Sequence, residues 1–334
     1  MKNIVIVTEA NEKVASGHLM ECIEIAAVLR EHKYNVSFFV NDDIDRAFLE
    51  RIPFSYRTYS RNLQYGCKAI CQTLITDSID LVIFNFRRIE DDLLRYIRQK
   101  YSGTVLCIDE LGHRHLSCNI IVNPMIDAYY HVYDDLDAKL YAGAKYLILS
   151  RKIQDYHKRE KKIRENIQRI CISMGGVDPF GTTVKLAKWI PEILPQVSID
   201  IILGGGFLHW DVLKPIIKGK SNVSVYKNID YVYELFFDAD LVFCAGGNTL
   251  HELACIGAPT IIIPSMPHEV RNAKMFENYG FGAALPITGD ITKKDVENGI
   301  IQVIPRETRL GFMKNGRLNF KGEGVFEFLK IIEI

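Results

Sequence analysis

The sequence predicts an α/β protein with parallel sheets, and three features support this prediction. Short apolar runs typical of buried strands alternate with segments of helical apolar spacing. Two of these runs, at 170–174 and 241–245, pass through Gly-Gly into a helix, which is typical of a parallel sheet. The chain has 334 residues, of which 48% are hydrophobic, enough for two cores. We therefore expect two domains.

Composition excludes several classes of partner. Lys plus Arg and Asp plus Glu both number 41, so no basic excess predicts binding to nucleic acid or to an anionic membrane. No apolar stretch is long enough for stable membrane insertion, and the N-terminal residues 1–9 resemble a first strand more than a signal peptide. The eight scattered cysteines are typical of reduced thiols. We expect a cytoplasmic protein, and the sequence defines no oligomeric state.

The first half of the chain alternates between strands and helices. Strands are predicted at 4–7, 36–40, 80–85, 104–110 and 120–124, and residues 141–149 lead out of this half. Helices are predicted from residue 18, at 45–51, at 64–76 and at 90–99.

His18 stands where the loop after the first strand enters a helix. In an open parallel sheet such loops line the ligand crevice, where a histidine can act as a general base. The alternative is a residue that only packs against or caps the helix. Both interpretations remain open from the residues alone.

Other polar residues follow later strands of this half. Arg87 and Arg88 could face an anionic ligand or merely be solvated. Four acidic and imidazole side chains lie close in sequence after the strand at 104–110, namely Asp109, Glu110, His113 and His115. They superficially resemble a metal cluster, but the helical spacing of a zinc motif is missing, so no metal is predicted.

The second half repeats the alternation. A charged helix is predicted at 154–168, and the run 158–169 is expected to be a solvated helix face. Strands are predicted at 170–173, 198–203, 223–226, 241–245 and 260–264, and helices at 182–189, 231–237 and 269–279. Two more helices are predicted at 293–304 and 324–332, with a loop at 317–324 before the last one.

The stretch from Leu241 to Glu252 is the most informative part of this half. A helix that follows Gly246-Gly247 offers free backbone N–H groups and a favourable dipole to a phosphate. Glu252, about one turn further on, could accept hydrogen bonds from ribose hydroxyls. The alternative is a tight turn with Asn248 or Thr249 as the helix cap.

Several motifs together give the chain a family resemblance. They are Ser16-Gly17-His18, Cys107-Ile108-Asp109-Glu110, Ser173-Met174-Gly175-Gly176-Val177-Asp178, Ala245-Gly246-Gly247-Asn248-Thr249 with Glu252-Leu253, and Gly257-Ala258-Pro259. With them the chain resembles the UDP-2,4-diacetamido-2,4,6-trideoxy-β-L-altropyranose hydrolases of pseudaminic acid biosynthesis and the related spore-coat polysaccharide proteins. It is more distantly similar to the UDP-N-acetylglucosamine transferase that makes lipid II.

The resemblance implies a GT-B fold, in which two Rossmann-like domains face each other across a cleft. We expect a sugar-side domain at 1–152, a nucleotide-binding domain at 153–310, and a helical tail at 311–334 that packs back on the first domain. The hydrolase family needs no metal, and no cofactor is implied.

The resemblance also implies roles for individual residues. The turn Gly246, Gly247, Asn248 and Thr249 would hold the diphosphate of a UDP-linked sugar, and Glu252 the ribose. Gly175 and Gly176 would contact the sugar-phosphate side, and the segment that begins at Ile229 would lie near the uracil. His18 matches the histidine that acts on the attacking water, and Gly17 precedes it.

The chain departs from the family pattern around the sugar. Ala15 replaces a glycine, Glu21 replaces a common basic residue, and Phe86 or Arg87 replaces an aromatic hydroxyl. His268-Glu269 replaces a pair that is commonly Asn-Gln. We assign Gly17, Arg87, Asp109, His268 and Glu269 to the sugar or acceptor side.

Three functions are compatible with these residues. The first is hydrolysis of a UDP-linked amino or deoxy sugar with His18 as base, in surface-glycan or nonulosonic acid biosynthesis. The second is a GT-B glycosyltransferase with a UDP-sugar donor, whose acceptor site is built from the altered residues. The third is a nucleotide-sugar-binding protein without catalysis.

Overall fold

A computed structural model describes residues 2–10, 17–60, 62–112, 115–128, 131–133, 137–227, 229 and 231–333, apart from the side chains of residues 63, 64 and 268. The chain divides into two compact units. Unit 1 comprises Met1–Arg151 and Gly322–Ile334, and unit 2 comprises Lys152–Lys321. No described helix is long and apolar enough to cross a membrane.

The described strands of unit 1 form one parallel sheet in the order β3-β2-β1-β4-β5-β6-β7. In chain order they are β1 Asn3–Thr8, β2 Asn35–Asn41, β3 Tyr56–Tyr59, β4 Leu81–Asn85, β5 Thr104–Ile108, β6 Ile120–Asn123 and β7 Lys139–Ala142. The helices are α1 Gly17–Glu31, α2 Arg46–Leu49, α3 Leu63–Thr76, α4 Asp91–Arg98 and the last helix of the chain, α13 Gly324–Glu333, with a 3-10 turn at Ala144–Tyr146.

Strand β1 shows why this sheet is covered on both faces. Its successive side chains point to opposite faces, so all of them must be apolar to be buried. Ile4 and Ile6 pack in the cluster that contains residues of α1 and α13, and Val5 and Val7 pack in the cluster that contains residues of α3 and α4. The continuous apolar run of β1 is therefore the sequence signature of a central parallel strand.

Unit 2 has the same architecture, with the strand order β10-β9-β8-β11-β12-β13 among its described residues. The strands are β8 Arg169–Ser173, β9 Ser198–Leu203, β10 Val223–Lys227, β11 Leu241–Cys244, β12 Thr260–Ile262 and β13 Ala283–Ala284. The helices are α5 Lys152–Lys158, α6 Thr182–Ile193, α7 Trp210–Ile217, α8 Val232–Asp238, α9 Asn248–Ile256, α10 Pro267–Asn278, α11 Lys293–Val303 and α12 Arg306–Asn319.

The end of unit 2 differs from the sequence prediction. Residues 306–319 form α12, which the sequence did not predict and which overlaps the predicted loop at 317–324. In α12, a Cβ at Gly316 would lie 2.7 Å from the carbonyl oxygen of Ala254, so only glycine allows this close approach to α9. The division between the units therefore falls at residue 322, and not at residue 311.

The charged run 158–169 also differs from its prediction as a helix face. The helix α5 ends at Lys158, and the segment that follows is not helical. Lys161 is buried, and its Nζ donates to the carbonyl oxygens of Phe237 and Ala239, the latter at 3.1 Å. Arg164 Nη1 donates to Asp240 Oδ1 at 2.9 Å. These charges therefore fasten the segment to the loop between α8 and β11 instead of solvating a helix.

The eight cysteines are all buried, and no disulfide joins any of those described. Burial raises the pKa of Cys22 to about 12, so this thiol stays protonated. The prediction of reduced thiols is consistent with this packing.

Candidate functional site

The two glycine turns of unit 2 leave neighbouring strands at the same edge of the sheet. Strands β8 and β11 are parallel neighbours in register, with Ser173 beside Cys244. The chain order reverses between them, because β9 lies on one side of β8 and β11 on the other. Ligands of open α/β sheets bind at the carboxyl ends of strands at such a switch point. The structure thus brings the predicted diphosphate and sugar-phosphate turns together.

The turn after β8 leaves open space above its glycines. Gly175 has a φ of +83°, a conformation that side chains rarely adopt, and a Cβ on Gly175 or Gly176 would meet no atom within 4 Å. Asp178 accepts hydrogen bonds from the backbone N–H groups of Thr182 at 2.9 Å and Thr183 at 2.8 Å. The N-terminus of α6 is therefore occupied by this buried carboxylate, and the aspartate of the motif has a structural role.

The turn after β11 presents a helix whose N-cap is a glycine. Gly247 is that residue and makes no side-chain cap, so Asn248 and Thr249 lie in the first turn of α9 and are not its cap. A Cβ on Gly246 would lie 2.7 Å from Glu269 Cβ, which explains the glycine at this position. The geometry favours the phosphate interpretation of this turn over the capping one.

Glu252 lies one helical turn after the glycines, and its environment is unusual. The residue is partly buried, and desolvation raises the pKa of its carboxyl to about 7, although a hydrogen bond from Tyr233 opposes this rise. Tyr233 Oη donates to Glu252 Oε1 at 2.8 Å. A carboxyl with a shifted pKa beside the switch point of an open sheet is a candidate functional position.

The other predicted residues of unit 2 have different surroundings. Glu269 Oε2 accepts from the backbone N–H groups of Ser265 at 2.7 Å, Met266 at 3.3 Å and Gly246 at 3.3 Å. Glu269 thus caps α10 and also braces the glycine turn. Ile229 is partly buried after β10. The side chain of His268 lies outside the described residues.

Unit 1 has its own switch point, between β1 and β4, and His18 lies beside it. Thr8 and Asn85, the last residues of these strands, lie beside each other. His18 is the second residue of α1, next to the predicted Gly17, and its side chain is 12% exposed. The position at the carboxyl edge of the sheet agrees with the prediction, but the general-base role stays a prediction.

His18 belongs to a compact cluster of side chains. His18 Nδ1 lies 3.9 Å from Oε2 of Glu21, one turn along α1, and Asn85 Nδ2 donates to the same Oε2 at 3.0 Å. Glu110, two residues after β5, completes the group, because ligand atoms of His18, Glu21 and Glu110 all lie within 4.8 Å of one another. We call these three residues the His18 cluster.

Asp109, which the sequence assigned to the sugar side, is not part of the His18 cluster. It is buried, and its Oδ2 accepts a hydrogen bond from Tyr133 Oη at 2.8 Å. Glu110 is the neighbouring acidic residue and the one that reaches His18. Of the four-residue metal arrangement considered above, His115 lies 3.8 Å from Asp91, and His113 lies outside the described residues.

Arg87 is exposed just after β4, and its backbone N–H donates to Glu9 Oε1 at 3.2 Å. Glu9 also lines a pocket of about 240 Å³ in unit 1, together with Tyr59, Phe86 and Arg88. Glu9 and Phe86 directly follow β1 and β4, and part of the lining comes from α3 and α4. Its lining combines two aromatic rings, Tyr59 and Phe86, with three charged groups, Glu9, Arg88 and Glu90.

Sequence reasoning missed part of both sites. Glu21 was noted only as a departure from a family pattern, although its spacing three residues after His18 on a helix predicts proximity. Asn85 ends β4 and Glu110 follows β5, and no local spacing links them to His18. Tyr233 reaches Glu252 from α8, which the sequence also gives no reason to expect.

Two parallel α/β units, each with polar groups at its switch point, define the class of the protein. The crystal structure of MurG from Acinetobacter baumannii matches 100% of this chain and 99% of that chain with a TM-score of 0.73 and 13% sequence identity. This likeness shows a GT-B fold, as the sequence predicts.

The sequence comparisons then give the family. Residues 152–321 match the glycosyltransferase family 28 C-terminal domain. The chain is 22% identical to the spore coat polysaccharide biosynthesis protein SpsG of Bacillus subtilis, over 95% of this chain and 94% of that protein. It is 32% identical to a UDP-N-acetylglucosamine–N-acetylmuramyl-(pentapeptide) pyrophosphoryl-undecaprenol N-acetylglucosamine transferase of Flavobacterium psychrophilum, over 35% of this chain and 33% of that relative.

Because the matched domain covers half of its length, the chain belongs to glycosyltransferase family 28. The likeness to SpsG supports the predicted resemblance to spore-coat polysaccharide proteins. These findings favour a glycosyltransferase over the hydrolase that the sequence analysis placed first.

Proposed function

We propose that the protein transfers a glycosyl group from a UDP-linked sugar to an acceptor hydroxyl during polysaccharide biosynthesis. The observation that carries the proposal is the pair of glycine turns at the switch point of the family 28 domain, with Glu252 one turn along α9. The relative from Flavobacterium psychrophilum, whose name specifies a UDP-N-acetylglucosamine donor, supports UDP as the nucleotide.

In this proposal unit 2 binds the donor. The first-turn N–H groups of α9 receive the diphosphate, and the open space above Gly175 and Gly176 receives the sugar-phosphate side. Glu252 accepts hydrogen bonds from the ribose hydroxyls, for which its ionised form is the better acceptor. The segment at Ile229 lies on the uracil side.

In the same proposal unit 1 supplies the base and binds the acceptor. His18 takes the proton of the acceptor hydroxyl, whose oxygen attacks the anomeric carbon of the sugar. The bond from that carbon to the β-phosphate oxygen breaks, and UDP leaves with the bonding electron pair. The N-terminus of α9 stabilises the charge that develops on the diphosphate.

The pocket beside Tyr59 and Phe86 favours transfer to a sugar acceptor. Its volume of about 240 Å³ is below the roughly 300–1,000 Å³ of pockets that bury drug-sized ligands, so it suits a single sugar residue. Aromatic faces with neighbouring charged groups suit the apolar and hydroxyl faces of such a ring.

Hydrolysis of the same donor is the second candidate. The Gly17-His18 pair, one of the motifs that carry the resemblance to the hydrolases, stands at the start of α1. Water in place of the acceptor would then yield free sugar and UDP.

The test begins with thermal stabilisation by UDP, CDP and GDP and continues with UDP-sugars, followed by mass spectrometry of the products. Transfer predicts UDP release only when an acceptor glycan is added, with the acceptor gaining one sugar. Release of UDP and free sugar without any acceptor would support hydrolysis. Absence of stabilisation by every nucleotide would contradict both candidates.

A further inference from the structure

Tyr233 connects the two groups that the proposed function assigns to the nucleoside of the donor. It is the second residue of α8 and follows Ile229, on the uracil side, by four positions. Its hydroxyl reaches across to α9, where Oη donates to Glu252 Oε1 at 2.8 Å. One short stretch of chain therefore carries both the segment on the uracil side and the group that contacts the ribose carboxyl.

The hydrogen bond from Tyr233 leaves most of the Glu252 carboxylate available. In the described part of the chain, no second hydrogen bond or ion pair reaches this carboxylate. Oε2 is also not one of the fully buried polar atoms without a partner, so solvent or a ligand reaches it. An ionised carboxylate accepts at about four lone-pair positions. Tyr233 uses one of them, and the two hydroxyls of a ribose fit within the rest.

Aromatic packing holds the ring of Tyr233 in place. The ring centroid of Tyr156, on α5, lies 5.9 Å from that of Tyr233, with an interplanar angle of 60°. The ring of Phe237, one turn after Tyr233 on α8, lies at the same centroid distance of 5.9 Å from Tyr156. These contacts are made by ring faces and edges. A phenylalanine at position 233 can therefore keep the packing and lose only the hydrogen bond to Glu252.

The same hydrogen bond favours the ionised form of Glu252. Desolvation raises the pKa of this carboxyl to about 7, and the hydrogen bond from Tyr233 opposes the rise, because a neutral phenol donates to a carboxylate. Without the hydroxyl the pKa of Glu252 would rise further. A protonated carboxyl is a weaker acceptor for ribose hydroxyls. Tyr233 therefore supports both the orientation and the charge of the carboxylate.

We propose that Tyr233 is a positioning residue for the donor, which holds the Glu252 carboxylate so that it accepts from both ribose hydroxyls and thereby selects ribonucleotides over 2′-deoxyribonucleotides. This inference rests on the ribose role that the proposed function gives to Glu252. A 2′-deoxy nucleotide loses one of the two hydrogen bonds to an oriented, desolvated carboxylate. The carboxylate is then left with an unused acceptor position, which is the physical basis of the selection.

The experiment is calorimetric titration of the full chain and its variants with UDP and with 2′-deoxy-UDP. The wild type should bind UDP roughly tenfold or more tightly than 2′-deoxy-UDP, because a hydrogen bond to a charged group is lost. Tyr233→Phe should weaken UDP binding about fivefold or more and reduce this preference to about twofold. Tyr279→Phe makes the same chemical change at a residue of unit 2 that is 52% exposed, and it should leave both affinities unchanged.

A second comparison uses Glu252→Gln, in which Tyr233→Phe should cause no further loss of the preference, because the two residues act through one hydrogen bond. An unchanged preference in Tyr233→Phe, or an equal loss of affinity for both nucleotides, would overturn the positioning role. Thermal melts of every variant identify any that fails to fold. A wild type that binds neither nucleotide would contradict the proposed function itself, whereas tight UDP binding with no effect of Tyr233→Phe would contradict only this inference.

Discussion

The two switch points of this protein have the same topology and opposite chemistry. In unit 2, Gly175 and Gly176 leave open space, Gly246 packs closely against Glu269, and one carboxyl, Glu252, lies one turn along α9. In unit 1, His18, Glu21 and Glu110 crowd titratable side chains into a poorly hydrated cluster. One sheet edge thus suits the binding of an anion, and the other suits proton transfer.

The largest expected effect separates chemistry from binding. His18→Ala should lower kcat/KM for UDP release about 10²–10⁴-fold, because a positioned base contributes that much to proton transfer. The Kd for UDP, measured by calorimetry, should not change, because UDP binding is assigned to unit 2. A variant with full activity would contradict the role of His18. A simultaneous loss of UDP affinity would contradict the assignment of UDP binding to unit 2.

Glu252→Gln should show how much folding stability the protein loses when the desolvated carboxyl of Glu252 ionises. Because the folded-state pKa of about 7 exceeds the ordinary value near 4.5, the folded state holds the proton more tightly than the unfolded state. The stability that protonation provides is fully present below pH 4.5 and is lost as the pH rises through 7. Above pH 7 the free energy of unfolding of the variant should therefore be roughly 1–2 kcal/mol higher than that of the wild type.

This gain should be accompanied by weaker UDP binding, since the ribose loses its charged acceptor. Urea unfolding at pH 4 and pH 8 and calorimetry with UDP measure the two effects. Glu307→Gln, with a side chain 82% exposed in the same unit, is the control. Equal stability differences at both pH values would refute the pKa argument.

Gly176→Ala should affect the donor and not the fold. The added methyl group enters open space, where we place the sugar-phosphate side, and should weaken binding of a UDP-sugar roughly fivefold. Gly289→Ala is matched, because its Cβ also meets no atom within 4 Å, and it should leave binding unchanged. Equal affinities of the two variants would contradict the placement of the donor at this turn.

The smallest expected effect concerns Glu269. Glu269→Gln keeps an oxygen acceptor for the backbone N–H groups but loses the charge that strengthens these bonds, so stability should fall by roughly 0.5–1 kcal/mol. Thermal unfolding with calorimetric enthalpies measures this change. A loss above about 3 kcal/mol would mean that Glu269 does more than cap α10 and brace the glycine turn.

The sequence predicted most central elements because their signals are local. The apolar run of β1 and the glycines after β11 indicate a buried strand and a strand-to-helix turn without further context. The edge strand β3 was missed because Tyr56–Tyr59 is largely exposed and follows no apolar run. The helix α12 was missed because Gly311 and Gly316 weaken its helical signal, although Gly316 is what lets it pack against α9.

The candidate sites were predictable only in part, for the same reason. His18 and the two glycine turns are visible as motifs. The proximity of Glu110 to His18 depends on the strand order β1-β4-β5, and the burial of Lys161 depends on where α8 ends. Local spacing encodes neither.

Hydrogen–deuterium exchange with and without UDP tests most directly whether the nucleotide binds at the switch point of unit 2 and not at that of unit 1. The account predicts protection of amides at 175–176 and 246–252 in unit 2, and unchanged exchange at 17–21 and 108–110 in unit 1. Protection confined to unit 1, or no protection in the glycine turns at saturating UDP, would contradict the assignment of the nucleotide to the family 28 domain.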